Sequence, residues 1–329
     1  MIAKKAGRLL RIMIPILFIL FLILVIATTP VRASQEDAEV YEAYEAILDA
    51  YKAGGNVKDL VEKLNKALEL LSMADQIEDE NPREAERLRA EARQLLKSII
   101  EEAPRVAEEG RYRTLIHNII LGSSIAGFVF ACIITYKAGP KIFWRLWIKL
   151  RRNYRIKPRV VIKKSQSMLL SEEVWAVIAA IIIVASVFAV SQIIWSSRVV
   201  EPFSAIGVLG PHKKIGDYPR EVFVGETFTL YVYVHNYMGK PMLYEVMIKL
   251  VNQSVQITQT NPAPVEPMMT FRHALLHNET WIFPVNITLT EPGTNWRLVF
   301  ELWAYNPDTD KVEYLGLWCH LWLNVTEIS

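Results

Sequence analysis

Three apolar runs divide the chain, and the charges between them are segregated by sign; this arrangement limits the fold more than any other feature. The runs are Ile12–Ala27, Thr114–Tyr136 and Val174–Trp195. A spanning helix needs about 20 mainly apolar residues, which the second and third runs supply. Tyr112 and Tyr136 bracket the second run, and Trp175 and Trp195 the third, as rings that prefer the headgroup level do. Segments 114–136 and 174–196 are therefore predicted as transmembrane helices. The first run follows Lys4, Lys5, Arg8 and Arg11 and precedes Val31-Arg32-Ala33. Residues 1–33 read first as a retained signal-anchor, spanning about 10–29, with a signal peptide cleaved after Ala33 as the alternative.

Charge assigns the sides. Residues 137–171 hold eleven Lys or Arg and no acid, so the 137–173 loop is predicted to be cytoplasmic, as is the basic N-terminus. Residues 34–113 and 200–329 then face outside. Asparagine usage agrees with this. Of the thirteen Asn, eight follow residue 200, and four of those begin an Asn-X-Ser/Thr sequon: Asn252, Asn278, Asn286 and Asn324. None of the earlier five does, so these four are predicted glycosylation sites on an external domain.

Residues 34–113 are acidic and helical in pattern. Val57, Leu60, Val61, Leu64, Leu68, Leu71 and Ala74 form one stripe, preceded by Gly54-Gly55 and a capping Asn56. Asn81-Pro82 with Glu84 starts another helix, with the stripe Ala85, Leu88, Ala92, Leu95, Ile99 and Ala103, ended by Pro104. Val40, Tyr44, Ile47, Leu48 and Tyr51 mark a shorter first helix. Three stripes with short breaks predict an external helical bundle or long hairpin.

In the basic loop, Trp144 and Trp147 alternate with Lys141, Arg145, Lys149, Arg151 and Arg152. On a helix this places aromatic and aliphatic side chains on one face and cations beside them. That pattern describes an interfacial helix on the anionic inner leaflet. Nucleic acid is the competing polyanion, but tethering between two spans makes lipid the expected partner. Within the second span, Gly122, Ala126 and Gly127 offer a small-residue face for packing on the other span or on a partner subunit.

From about residue 205 the period becomes two. Thr227–His235, Leu243–Val251, Trp281–Leu289, Trp296–Tyr305 and Tyr314–Val325 read as strands, with turns at Asn236–Pro241, Glu291–Thr294 and Asn306–Asp308. Six or seven strands without helices between them predict an antiparallel immunoglobulin- or fibronectin-like β-sandwich over 200–329. The fold class is thus a multi-domain membrane protein with helical spans, an external helical bundle and a C-terminal all-β sandwich.

Chemistry is sparse. No P-loop, GxGxxG, Gly-X-Ser-X-Gly, His-Glu-X-X-His or Cys-X-X-Cys occurs. His273 and His277 are four apart but lack further ligands for a metal. Cys132 lies in a span and Cys319 in a strand, where it reads as a small apolar residue. No catalytic residue, cofactor or metal is expected.

Glu201-Pro-Phe203, Val208-Leu-Gly-Pro211, Tyr218-Pro-Arg220 and Val224-Gly-Glu226 occur with Gly293-Thr-Asn-Trp296 and Leu321-Trp-Leu-Asn-Val-Thr326. Together they resemble the archaeal membrane family known as domain of unknown function 1616, over about residues 172–329. The resemblance implies an archaeal envelope protein with an external sandwich and transfers no catalytic residue. The expected role is protein–protein interaction or scaffolding in a membrane or cell-surface assembly. The alternatives are an accessory subunit of a membrane enzyme or transporter, for glycan transfer or protein export, and a solute-binding receptor.

Overall fold

The computed structural model describes residues 35–153, 172–196 and 201–327. The anchor-or-signal reading of residues 1–33 and the far half of the basic loop lie outside these residues. Three helices come first: α1 (Gln35–Lys52), α2 (Lys58–Ile77) and α3 (Pro82–Asn153). Their apolar stripes meet in one core, with Val40, Tyr44 and Ile47 against Leu60, Leu64 and Leu68 and against Ala92, Ile99 and Ala103. The α2 stripe is buried at every predicted position. On α3, packing selects Leu96 over the predicted Leu95 as the fully buried member. Asn81 Oδ1 accepts the Glu84 N–H at 3.4 Å, and Pro82 opens the helix, as expected of a capped start.

The predicted stop at Pro104 is overturned. α3 runs as one 72-residue helix through Pro104 and Pro140. A proline removes one N–H and crowds the carbonyl four residues back, a cost of about 3 kcal/mol in a helix interior. Around Pro104 the flanking residues Ala103, Val106 and Ala107 pack into the helical core, which holds the turn against that cost. Six residues later Gly110 lies against the α1–α2 turn so closely that an added Cβ would sit 2.2 Å from the Gly55 nitrogen. The continuous helix also absorbs the segment read as a separate interfacial helix, which here extends α3 to Asn153.

α4 (Glu172–Ser196) lies alongside α3. Among the described residues, α3 is the helix long and apolar enough to cross a membrane. Leu115, Ile119, Ile120 and Phe130 on α3, and Ile181, Val184, Val187 and Phe188 on α4, are more than half exposed. Water disfavours such a surface and hydrocarbon accepts it. Among the described residues the small-residue face of α3 stands clear of α4. At Gly122 and Gly127 an added Cβ meets nothing within 4 Å, and Ala126 is exposed.

The C-terminal part is a two-sheet sandwich of eight strands: β1 (Phe203–Leu209), β2 (Glu221–Phe223), β3 (Thr227–Tyr237), β4 (Met242–Val251), β5 (Met269–Leu275), β6 (Glu279–Thr288), β7 (Gly293–Asn306) and β8 (Lys311–Thr326). One sheet has the order β1-β3-β6 and the other β2-β8-β7-β4-β5. Leu230, Val232 and Val285 from the first meet Val246, Phe300 and Leu323 from the second. The expectation of a purely antiparallel fold fails at β2, which pairs parallel to β8 through three residues. Asn236, fully buried in β3, donates to the carbonyls of Lys240 and Leu275 and accepts the Met238 N–H, which fixes the turn into β4.

β4 and β7 are buried on both faces. Part of the outer face of the larger sheet lies under the 252–268 loop. There Lys249 and Glu301, 4% and 0% exposed, pair at 2.9 Å. Glu301 also accepts the Ala263 N–H and the Trp303 indole N–H, and Lys249 donates to the Ala263 carbonyl. Every bond of this buried pair therefore pins the loop or the sheet. Removing one member strands the other charge, so Lys249→Met should cost about 3–5 kcal/mol. Unfolding in denaturant, with limited proteolysis of residues 252–268, reads the loss; Lys249→Met with Glu301→Leu should regain part of it. Gly110→Ala should cost about 1–3 kcal/mol through its clash with the turn. Gly127→Ala, with open space around it, should leave the melting midpoint unchanged or raise it.

Candidate functional site

Helices and sandwich join along a seam on the remaining outer face of the larger sheet. Tyr41 stacks on Tyr305 with centroids 4.1 Å apart and planes 3° from parallel, and Tyr44 meets Tyr305 edge-on. The Tyr305 hydroxyl lies 2.7 Å from Glu45 and 2.9 Å from Asp310. Burial, then those two acceptors, lift its pKa far above the ordinary tyrosine range, so it remains a donor. Tyr44 and Tyr51 donate to the carbonyls of Pro241 and Gly239 at 2.9 and 2.7 Å, tying α1 to the β3–β4 turn. Leu243, Ala274 and Tyr305 belong to the helical core itself. The two regions form one packed unit.

The seam ends on a sheet edge. Asn65 of α2 donates to the Ala274 carbonyl at 2.9 Å and accepts the Ala274 N–H at 2.7 Å. A neighbouring strand makes this same pair of bonds, so a side-chain amide stands in for a strand on edge strand β5. Next to it, Arg272 bonds Asp37 of α1 and Glu245 of β4. Burial opposes its charge, but Glu245 and Asp37 outweigh that effect and hold the guanidinium protonated.

Beyond Asn65 the helices and the strands part to leave a groove of about 1180 Å³. Its sandwich wall is aromatic: Phe271 meets Phe283 at a tilt, 4.9 Å between centroids, and Phe283, Trp281 and His273 stack in series at 3.8 and 4.6 Å. Its helical wall shows only the edges of Leu68 and Leu71, whose side chains are buried in the helical core, beside the exposed Met73. The lining holds five carboxylates, but Arg89 and Arg93 pair Glu36 and Asp75, and Arg272 pairs Asp37, which leaves Glu62 and Glu69 against Lys66. The groove is thus aromatic on its sandwich wall, with a small acidic excess on its helical wall.

The residues singled out in the sequence do not converge on it. Asn252, Asn278 and Asn286 are exposed on the sandwich; Asn324 is half-buried, its amide oxygen accepting the Asn295 N–H. Asn278 holds the β5–β6 turn at φ 66°. Lys141, Arg145 and Lys149 are exposed on the last turns of α3. The side chains of Trp144, Trp147, Arg151 and Arg152 lie outside those described. His273 and His277 serve different contacts, for His277 accepts the Gly239 N–H at 3.1 Å. No group of three His, Cys, Asp or Glu is placed to hold a metal ion among the described residues. Cys319 packs on the sandwich core, and burial pushes its thiol up to about 12.

Residues 197–324 match the family model described as Domain of unknown function (DUF1616). The sandwich is a DUF1616 domain. No curated protein matches the chain. Among solved structures, the CARDB domain of a Pyrococcus furiosus protein, crystallised with di-metal ions, aligns at 15% identity. That match covers 39% of this chain and 90% of the other, with a TM-score of 0.26. A β-glucosidase from Listeria innocua in complex with glucose aligns at 15% identity, over 38% of this chain and 16% of that one, TM-score 0.21. Native E. coli alpha-2-macroglobulin gives 10%, 38%, 7% and 0.25 in the same order. Scores of this size carry no argument about fold or activity.

The DUF1616 domain supplies only one wall of the groove; α1 and α2, outside the matched region, supply the other. Sequence reading missed the groove because its two walls are about 200 residues apart. His273 reports on it. Desolvation lowers its pKa from 6.5 to about 4. An unfolded histidine takes up its proton near 6.5. The stability this group contributes is therefore whole above pH 6.5 and lost as pH falls from 6.5 towards 4, up to about 3 kcal/mol. His273→Gln should flatten the acid limb of the stability profile by that difference, and NMR titration should find the His273 imidazole neutral at pH 5.

Proposed function

We propose that this is a membrane-anchored, non-enzymatic protein whose helical hairpin and DUF1616 sandwich form one external interaction module in a cell-surface or membrane assembly. The seam is the observation that carries this reading. Residues 35–110 and 201–327 contact each other through Tyr41, Tyr44, Asn65 and Tyr305, so both must lie on one side of any bilayer that α3 enters. An even number of crossings between them satisfies this, as α3 and α4 together provide. The charge distribution independently calls for the same arrangement, with the N-terminus and the 137–173 loop cytoplasmic and residues 34–113 and 200–329 extracellular. The sequons at Asn252, Asn278, Asn286 and Asn324 fall on that outer side, and the resemblance of the domain to an archaeal envelope family agrees with it. We read the sandwich as immunoglobulin- or fibronectin-like, presenting surfaces rather than enclosing a substrate. Lys141, Arg145 and Lys149, with their basic neighbours, then sit where α3 emerges into the anionic inner leaflet.

A second reading, an accessory subunit of a membrane enzyme or transporter, draws on the uncovered Gly122, Ala126 and Gly127 face of α3, where a partner helix could pack closely. Purification in mild detergent separates the two. Stoichiometric recovery of a non-catalytic surface protein is expected, and recovery of a glycosyltransferase or translocase would replace the first reading by the second. Glycopeptide mass spectrometry should find glycan on at least one of the four sequons. Protection of residues 201–327 from added protease in cells stripped of any surface layer would refute the external assignment.

A further inference from the structure

We propose that the groove between α2 and the sandwich binds an extended, lysine- or arginine-bearing segment of another protein, which adds to β5 as a further strand. This rests on the interaction-module reading and gives that module a ligand class. The first ground is backbone geometry. In an antiparallel pair, alternate residues turn their N–H and C=O away from the partner strand. Ala274 does so, because its two groups reach Asn65 on the side opposite β4. Arg272 and Thr270, two and four residues back, present theirs to the same open side. Among the described residues Asn65 is the one hydrogen-bond partner on that side, and it serves Ala274 alone. An edge with unused donors and acceptors is a template for strand addition. Here the edge is closed at one end by a strand-mimicking amide and left open where the groove begins.

The second ground is the shape and polarity of the space. From Asn65 to Gln76, α2 runs about 16 Å, the length of roughly five strand residues. Alternate side chains of an added strand would reach Phe271, Phe283 and Trp281 on one wall and Glu62, Glu69 and Met73 on the other.

The third ground is charge. Arg272 is engaged by Asp37 and Glu245, which leaves Lys66 as the remaining cation of the lining. Against it, Glu69 makes no ion pair among the described residues, and the sole partner of Glu62 is an exposed Lys58 at 3.8 Å. Glu36 and Asp75 are held by Arg89 and Arg93, so the acidic excess of the rim is Glu62 and Glu69 against Lys66, and cationic side chains projecting from an added strand would meet those two carboxylates.

The test uses the full-length protein in detergent micelles and synthetic seven-residue peptides with lysine at alternate positions and Val, Ile or Phe between. Fluorescence anisotropy should show saturable binding. Methylating alternate backbone nitrogens of the best peptide removes strand donors without changing its charge, and should weaken binding at least tenfold. Glu62→Gln with Glu69→Gln should weaken it by about the same factor, and peptides with glutamate in place of lysine should not bind. Thr270→Pro deletes one outward N–H that the β4 ladder does not use and should match the effect of peptide methylation. Absence of binding by every lysine peptide, or binding indifferent either to methylation or to the two Glu→Gln changes, overturns the proposal. That failure would leave the external-module reading standing, since glycopeptides and co-purification judge it separately.

Discussion

The contact of α1 and α2 with the outer face of the five-stranded sheet is the constraint on which the remaining architecture rests. A sheet in a free sandwich turns one face to water, and its strands alternate apolar and polar. In this protein Leu243, Ala274 and Tyr305 point out of the sandwich into the helical core, so part of the outer face is as dry as the inner one. The aromatic trio of Tyr41, Tyr44 and Tyr305 supplies area; the Tyr44 hydroxyl finds Pro241 and the Tyr305 hydroxyl finds Glu45 and Asp310 at the margin. Buried phenols satisfied in this way combine apolar contact with directional bonds. Asn65 and Arg272 extend the contact to the sheet edge, where position is set by hydrogen bonds and charge.

Much of the local structure was legible because it is written in short-range chemistry. The α2 stripe, the Asn81-Pro82 start and the cores of β3, β4, β6, β7 and β8 follow from period and turn residues. β5 escaped because Met269–Leu275 follows three prolines within seven residues and carries Arg272 and His273 in its middle. β2 escaped because three residues cannot show a period. Pro104 misled for the opposite reason: a strong local stop signal was overruled by packing on both sides of it. The groove was illegible in a stricter sense, for no window of sequence contains both of its walls. A partial signal did exist. Glu245, Lys249 and Glu301 occupy outer-face positions beside Leu243, Val251, Val299 and Tyr305, and charges among so many apolar neighbours mark a covered face rather than a wet one.

The two buried charge centres play different parts. Lys249 and Glu301 are enclosed completely and fasten a loop to the sheet. Arg272 is partly open, bridges three elements and stands at the threshold of the groove. A buried pair of the first kind contributes uniqueness of packing more than net stability. The second kind fixes the angle at which the helical hairpin meets the sandwich, and so the width of the opening between them.

The close approach of Gly110 to the Gly54-Gly55 turn sets a height. The turn lies against Gly110 and Thr114, where the apolar stretch of α3 begins, so the foot of α2 is level with the start of that stretch. Glu69 and Gln76 stand about 17 and 27 Å from that foot along the helix. On the proposed membrane-anchored reading, a partner rooted in the same membrane needs roughly five to eight extended residues of tether to bring a strand to the groove. One floating free needs none, and one held flat on the lipid surface falls short.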